Sequence, residues 1–207
     1  TIAMAKRLKK LDIPYLLDFH YSDWWADPEH QNIPKAWKDL SVDAMAQELF
    51  AFTEQALLAL KEADVYPDMI QIGNEIRNGM LFPVAKVPKW ENLAKLVNSG
   101  IAAARKVNAD TKLMIHLDEG ATYAYYEEWF DHMMAQGMTD FDVIGLSYYP
   151  YIHGSFSDFE DCLQRLSQKY GKELNSAEAK EAFSGKKRSS VLDIRQALWG
   201  SRRACSI

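Results

Sequence analysis

The sequence is poor in cysteine. Two thiols in 207 residues, Cys162 and Cys205, make no disulfide framework, so the compartment and the redox state of both stay open. Long hydrophobic runs are missing too. No apolar stretch approaches the roughly 18 residues of a membrane span, so no membrane partner is expected. A basic excess is lacking: the formal charge is −5, which argues against a nucleic-acid surface. His20, His116, His132 and His153 show no His-x-x-x-His spacing, so no structural zinc and no cofactor are expected. Gly73-Asn74-Glu75 lacks the further glycines of a phosphate-binding loop. The chain opens at Thr1 without an initiator Met or a signal-peptide pattern, and residues 1–11 already read as helix. It is therefore expected to be a piece of something longer.

What is present reads as one sizeable folded domain. Hydrophobic residues make up 48% and charged residues 26%, a balance that argues against disorder. Six tryptophans and ten tyrosines are many for this length. They serve either core packing or a ligand with flat apolar faces, such as a sugar.

Four short apolar runs, at residues 13–19, 69–73, 113–117 and 143–146, alternate with helical stripes. Nearly continuous apolar runs suit strands buried on both faces. Ser41 caps the first long stripe, Met45, Leu49, Phe52, Ala56 and Leu60. Others start near residues 90, 122 and 157, the last two closed by Gly137 and Gly171. Strand–helix alternation with right-handed crossovers gives a parallel sheet with helices outside. Each strand ends in polar and aromatic residues, where barrel enzymes build their sites. The expected fold is α/β, a partial (β/α) barrel over residues 1–172.

The central stretch is Met69-Ile70-Gln71-Ile72-Gly73-Asn74-Glu75, a buried run that breaks into an amide and a carboxylate. Glu75 is the candidate acid, its bland alternative a structural carboxylate paired with Arg77 or Lys86. Asn74 otherwise simply forms a turn, and His20 is otherwise a rim histidine. Asp23 and Asp27 otherwise cap a turn, Asp27 standing before Pro28. Trp24 and Trp25 cannot both face one way on an extended segment. His116 alternates with Asp118 and reads equally as a buried pair or as a ligand-binding one. Tyr123, Tyr125 and Tyr126 read as helix packing.

Residues 173–207 form a separate, atypical tail, polar and basic through Gly185-Lys186-Lys187-Arg188 and Ser201-Arg202-Arg203. The cluster Val191, Leu192, Ile194, Ala197, Leu198 and Trp199 is spaced as a short helix, and 177–181 as helix surface. No further strand is expected there.

Taken together, His20-Tyr21-Ser22-Asp23-Trp24-Trp25-Ala26-Asp27-Pro28, Gly73-Asn74-Glu75 and Gly145-Leu146-Ser147-Tyr148-Tyr149-Pro150 resemble the endo-β-1,4-galactanases, the arabinogalactan-degrading family 53 of glycoside hydrolases. The resemblance covers roughly residues 1–172 and implies a TIM barrel of which this chain holds strands three to six. It implies retaining hydrolysis of β-1,4-galactan, with the polysaccharide as partner and an extracellular setting. Its acid/base glutamate follows an asparagine after the fourth strand, which falls on Asn74-Glu75. Asn74 would bond a sugar hydroxyl, and Tyr148 would orient the nucleophile. Trp24, Trp25, Tyr149 and Tyr151 would stack on galactose, while His20, Asp23, Asp27 and Asp118 would bind hydroxyls or hold loops.

The family's nucleophile ends the seventh strand, and the polar text after residue 172 supplies no such strand. Ile152 also stands where the family commonly has tryptophan. Glu173, Glu178 and Glu181 follow no apolar run, so no nucleophile is assigned and little activity is expected. The change resembles a truncated, misspliced or frame-shifted product. A half barrel also leaves two open edges, through which self-association is expected.

Overall fold

The apolar runs form strands and the helical stripes form helices, all returning over one side of a parallel sheet. The computed structural model describes residues 1–179 and 190–193. In chain order these form α1 (Ile2–Lys10), β1 (Tyr15–Phe19), α2 (Val42–Glu62), β2 (Met69–Ile72), β3 (Gly79–Met80), β4 (Ala85–Lys86), α3 (Trp90–Val107), β5 (Lys112–Leu117), α4 (Tyr123–Ala135), β6 (Val143–Tyr148), α5 (Phe156–Tyr170), β7 (Glu173–Ala179) and β8 (Ser190–Asp193). The main sheet runs β7-β6-β5-β2-β1-β8, every neighbouring pair parallel. β3 and β4 form a small antiparallel hairpin between Glu75 and α3. Among the described residues no helix is long and apolar enough to cross a membrane.

The two faces of the sheet bury different chemistry. Leu17, Phe19, Ile70, Ile72, Ile115, Leu117, Ile144 and Leu146 pack against the helices in one large core. The inner face begins with a small apolar floor of Leu16, Met114 and Val143, with Met69 against it. Two residues further along, where side chains return to the same face, stand Asp18, Gln71 and His116, all buried. Three of the four runs that read as apolar on both faces thus carry one polar residue on the inside.

Several helix details follow from local chemistry. Ser41 caps α2 by accepting from the Ala44 amide at 3.2 Å. The capping box of α5 pairs Ser155 with Asp158, so the helix begins one residue before the expected start. On α2 the fully buried line runs Met45, Leu49, Thr53, Leu57 and Leu60, with Phe52 and Ala56 only half-buried. Thr53 is buried because its hydroxyl bonds that of Tyr21 at 2.9 Å and donates to the Leu49 carbonyl at 2.8 Å.

The tail departs from its expected form. Residues 173–179, read as polar tail and helix surface, form β7, because the β6 backbone offers a free edge that pairs from Val143↔Glu173 to Tyr148↔Ala179. Val191 and Leu192, read as helix, belong to β8, which pairs with β1 from Tyr15↔Ser190 to Asp18↔Asp193 and so occupies one of the edges expected to be open. Lys180, Glu181, the basic stretches, Ile194, Ala197, Leu198, Trp199 and Cys205 lie outside the described residues. Cys162 is buried and unbridged, and burial pushes its thiol up to about 12.

Gly145 controls how closely β5 and β6 fill the interior. It stands opposite His116 in register. A Cβ there would lie 2.8 Å from Met114 Sδ and 3.2 Å from His116 Cβ. Gly145→Ala is therefore expected to destabilise the fold by about 1–3 kcal/mol through overpacking. Urea denaturation measures this, and an unchanged midpoint would contradict it.

Candidate active site

The strand β2 hands the chain to Glu75 through two unusual backbone conformations. Gly73 adopts φ +81°, where a Cβ would sit 2.8 Å from Ile76 Cγ2. Glu75 itself is left-handed, at φ 49° and ψ 49°. That region costs a non-glycine residue about 1 kcal/mol or more, so the surroundings must hold it. The Gly73 amide donates to the Phe19 carbonyl at 3.0 Å. Trp129 Nε1 donates to the Ile76 carbonyl at 3.1 Å. Glu75 ends up buried at the C-terminal mouth of the sheet, 9% exposed, with Oε1 in a 2.5 Å hydrogen bond with Ser147 Oγ.

Asn74 is the hub of the surrounding network. Its Nδ2 donates to the Ala26 carbonyl at 2.8 Å, and its Oδ1 accepts from Gln71 Nε2 at 3.1 Å. The same Oδ1 lies 2.9 Å from His116 Nδ1, and His116 Nε2 lies 2.9 Å from Ser147 Oγ. Gln71 Nε2 also donates to Asp18 Oδ1 at 2.8 Å and to the Gly73 carbonyl at 3.0 Å. Gln31 Nε2 donates to the carbonyls of Asn74 and Asp27, at 2.8 and 2.9 Å. The His20 to Pro28 loop is thus stitched directly onto Asn74.

The predicted residues divide into two groups. Glu75, Asn74 and His20 converge on the inner face. His20 Nδ1 accepts the Ala26 amide at 2.8 Å, and its Nε2 lies 2.9 Å from Asp18 Oδ2. The others have separate engagements. Asp118 forms a two-pronged ion pair with Arg77, at 2.8 and 2.9 Å, and the guanidinium also covers the Tyr125 ring. Arg77 is therefore committed elsewhere, and Lys86 lies over the Phe82 ring, so neither makes the ion pair with Glu75 that was the bland alternative. His116 and Asp118 do not pair with each other.

Asp23 accepts the Lys35 amide at 2.8 Å. Asp27 Oδ1 accepts the amides of Glu29 and His30, at 2.8 and 2.7 Å. Both act as loop-forming residues. Trp24 and Trp25 are both at the surface, Trp25 with its ring 5.0 Å from that of His30. Tyr149 is half-buried, its ring edge-on to His153, and Tyr151 is almost fully exposed. Tyr148 corrects an expectation. It points to the helix side, stacked on Phe159 at 4.2 Å with its hydroxyl donating to the Gly154 carbonyl. Alternation along β6 turns Ser147 inward and Tyr148 outward, so Tyr148 does not face the site.

Ser147, Gln71 and Gln31 carry the network and were not predicted. Among the described residues no group of His, Cys, Asp and Glu stands ready to hold a metal ion.

Glu75 is thus a buried carboxyl group at the C-terminal mouth of parallel strands, within a bonded inner layer, the position where barrel enzymes build their sites. The profile of Glycosyl hydrolase family 53 matches residues 1–197, and the chain belongs to that family. It is 44% identical over 186 residues to an uncharacterised protein of Niallia circulans, covering 86% of this chain and 50% of that one. It is 35% identical over 181 residues to an arabinogalactan endo-β-1,4-galactanase of Thermothelomyces thermophilus, covering 84% of this chain and 54% of that one. Among solved structures, a family 53 catalytic domain of Ignisphaera aggregans superposes with TM-score 0.84 at 38% identity, over 90% of this chain and 51% of that one. A fungal β-1,4-galactanase superposes with TM-score 0.83 at 34% identity, over 91% of this chain and 59% of that one. The chain spans about half the length of the curated relatives it matches, and its fold is a partial barrel of that family.

Burial pushes the His116 imidazole from the ordinary 6.5 down to about 3. Between these values the unfolded chain binds a proton that the folded chain refuses. The stability His116 contributes is thus complete above about pH 6.5 and is lost as the pH falls toward 3. Urea denaturation across that window is expected to show a shallower loss in His116→Asn, by up to about 1.4 kcal/mol per pH unit. Equal slopes would contradict the burial of a neutral ring.

Proposed function

We propose that this chain belongs to an endo-acting, retaining hydrolase of β-1,4-galactosidic bonds in galactan and arabinogalactan, with Glu75 as its acid/base. The observation that carries this is the placement of Glu75: buried, left-handed, at the sheet's C-terminal mouth and bonded to Ser147. The names of the similar galactanases supply the substrate class. By the same resemblance the enzyme would work outside the cell.

Retaining hydrolysis needs a second carboxylate beside the first. The formation of β7 supplies a strand where none was expected. The backbone of Glu178 stands opposite Ser147 in register, at the C-terminal end of the strand next to β6. In this reading Glu178 attacks the anomeric carbon while Glu75 passes its proton to the leaving oxygen. Water then releases the sugar, giving a proton back to Glu75. Asn74 has a second amide N–H without a partner among the described residues, suited to a sugar hydroxyl beside the reacting carbon. Trp24, Trp25, Tyr149 and Tyr151 offer flat faces for galactose rings.

A second reading is a non-catalytic remnant that binds galactan weakly. It is favoured by the open arrangement of the described sheet, whose end strands are β7 and β8. Those ends are also where self-association would occur. Linear β-1,4-galactan separates the readings. The wild-type chain is expected to release galacto-oligosaccharides, and Glu75→Gln and Glu178→Gln each to lower the rate by about 10²–10⁴-fold. With an aryl galactoside whose leaving group needs no proton, Glu75→Gln should recover and Glu178→Gln should not. A folded wild-type chain that releases nothing from galactan would favour the remnant.

A further inference from the structure

We propose that Asn74, His116 and Ser147 form a one-directional hydrogen-bond chain that places a proton on Glu75 and holds it there. The inference rests on Glu75 being the acid of the reading above, and it gives His116 and Ser147 a role that reading does not assign.

The direction of the chain follows from groups whose roles are unambiguous. The carbonyls of Ala26 and Gly73 only accept. Their bonds therefore fix Nδ2 of Asn74 and Nε2 of Gln71 as the ends that face them. Asn74 then turns Oδ1, also only an acceptor, toward His116 Nδ1. That ring nitrogen must carry hydrogen. The remaining question is whether Nε2 carries one as well.

An imidazolium would stand buried, 1% exposed, at a cost of several kcal/mol unless matched by an anion. Among the described residues, the charged groups around it are otherwise engaged. Asp118 holds Arg77, and Asp18 accepts from Gln71 and His20. His20 accepts an amide at Nδ1, so the bond to Asp18 uses its Nε2 hydrogen and the ring is neutral. The Tyr126 hydroxyl donates to the carbonyls of Leu117 and Asp118. The backbone of Glu178 in β7 stands opposite Ser147 in register. The ring is neutral, so Nε2 accepts, and the donor 2.9 Å away is Ser147.

A serine has one hydroxyl proton. Once it points at His116, the 2.5 Å contact between Ser147 Oγ and Glu75 Oε1 needs its proton from Glu75. If Glu75 were ionised, Ser147 would turn to it and leave buried Nε2 unpaired, or His116 would have to become charged. The protonated acid alone lets every member of the chain keep its bond. When Glu75 gives its proton to a leaving oxygen, that arrangement is broken. The proton returned by water in the second half-reaction restores it.

Two measurements test this without substrate, so failure of the galactan reading and failure of the chain are distinguishable. In the ¹⁵N-histidine-labelled wild-type chain, with the His116 signal assigned by its loss in His116→Gln, the ring should be neutral with hydrogen on Nδ1 from about pH 8 to about pH 5. Hydrogen on Nε2, alone or in an imidazolium, overturns the proposal. In infrared difference spectra against Glu75→Gln, the wild-type chain should show the carbonyl band of a protonated carboxyl. His116→Phe frees the serine proton to stabilise the ionised acid, so the pH at which that band is lost should fall by about one unit, the worth of one hydrogen bond. An upward shift, as from removing a cation, or no shift, overturns it. If His116→Phe does not fold, the wild-type ring spectrum still decides.

Discussion

The hydrogen bond from Asn74 Nδ2 to the Ala26 carbonyl is the contact on which the site depends. An amide side chain has a donor end and an acceptor end, and this bond decides which end faces the interior. It also joins the two sequence blocks that lie 48 residues apart, the loop after β1 and the turn after β2. With Asn74 oriented, Gln71 and His116 have no freedom left in their roles. Loss of that one contact would leave buried donors and acceptors to be re-paired throughout the layer, and each unmade bond there costs about 1–3 kcal/mol. Fully satisfied, the same low-dielectric layer is rigid.

That rigidity is what allows Glu75 its backbone. A left-handed non-glycine residue persists only where its neighbours over-determine it. Here Gly73 turns the chain, Trp129 anchors Ile76, and Ser147 meets the carboxyl group. The strain and the network therefore support one another. The turn delivers the acid to the inner face, and the bonds across β1, β2, β5 and β6 keep the turn from relaxing.

Much of the architecture was legible because helices and parallel strands announce themselves by periodicity. The four apolar runs, the helices α2 and α3, and the polar strand ends at His20, Asn74 and Glu75 all stand where the pattern put them. What periodicity concealed was the inner layer. Asp18, Gln71 and His116 each interrupt an apolar run once, Ser147 directly follows one, and a single polar residue looks like noise in a strand read as buried on both faces. Their common inward phase becomes visible only when the strands are set side by side in register. Tyr148 was misjudged for the same reason, since one step along a strand reverses the face. The β7 segment, Glu-Leu-Asn-Ser-Ala-Glu-Ala, has no strand signature of its own and gains its conformation from the edge of β6. Asp23, Asp27 and Asp118 look like ligand-binding acids in sequence, but a carboxylate near a loop amide or an arginine is captured locally.

The floor beneath this layer explains why it is buried so completely. Leu16, Met114 and Val143 close the bottom of the inner face, and Gly145 leaves room for Met114 and His116 beside it. Apolar contacts close the layer from below, and its polar residues are buried. The polar atoms of the layer must then satisfy one another, and a proton within it is placed by which groups can donate. In such a setting a titratable group is governed less by distant charge than by the count of donors and acceptors around it. A strand-end glutamate at an exposed rim would have water to ionise against. At the top of this column it has Ser147, and behind Ser147 a ring that burial keeps uncharged.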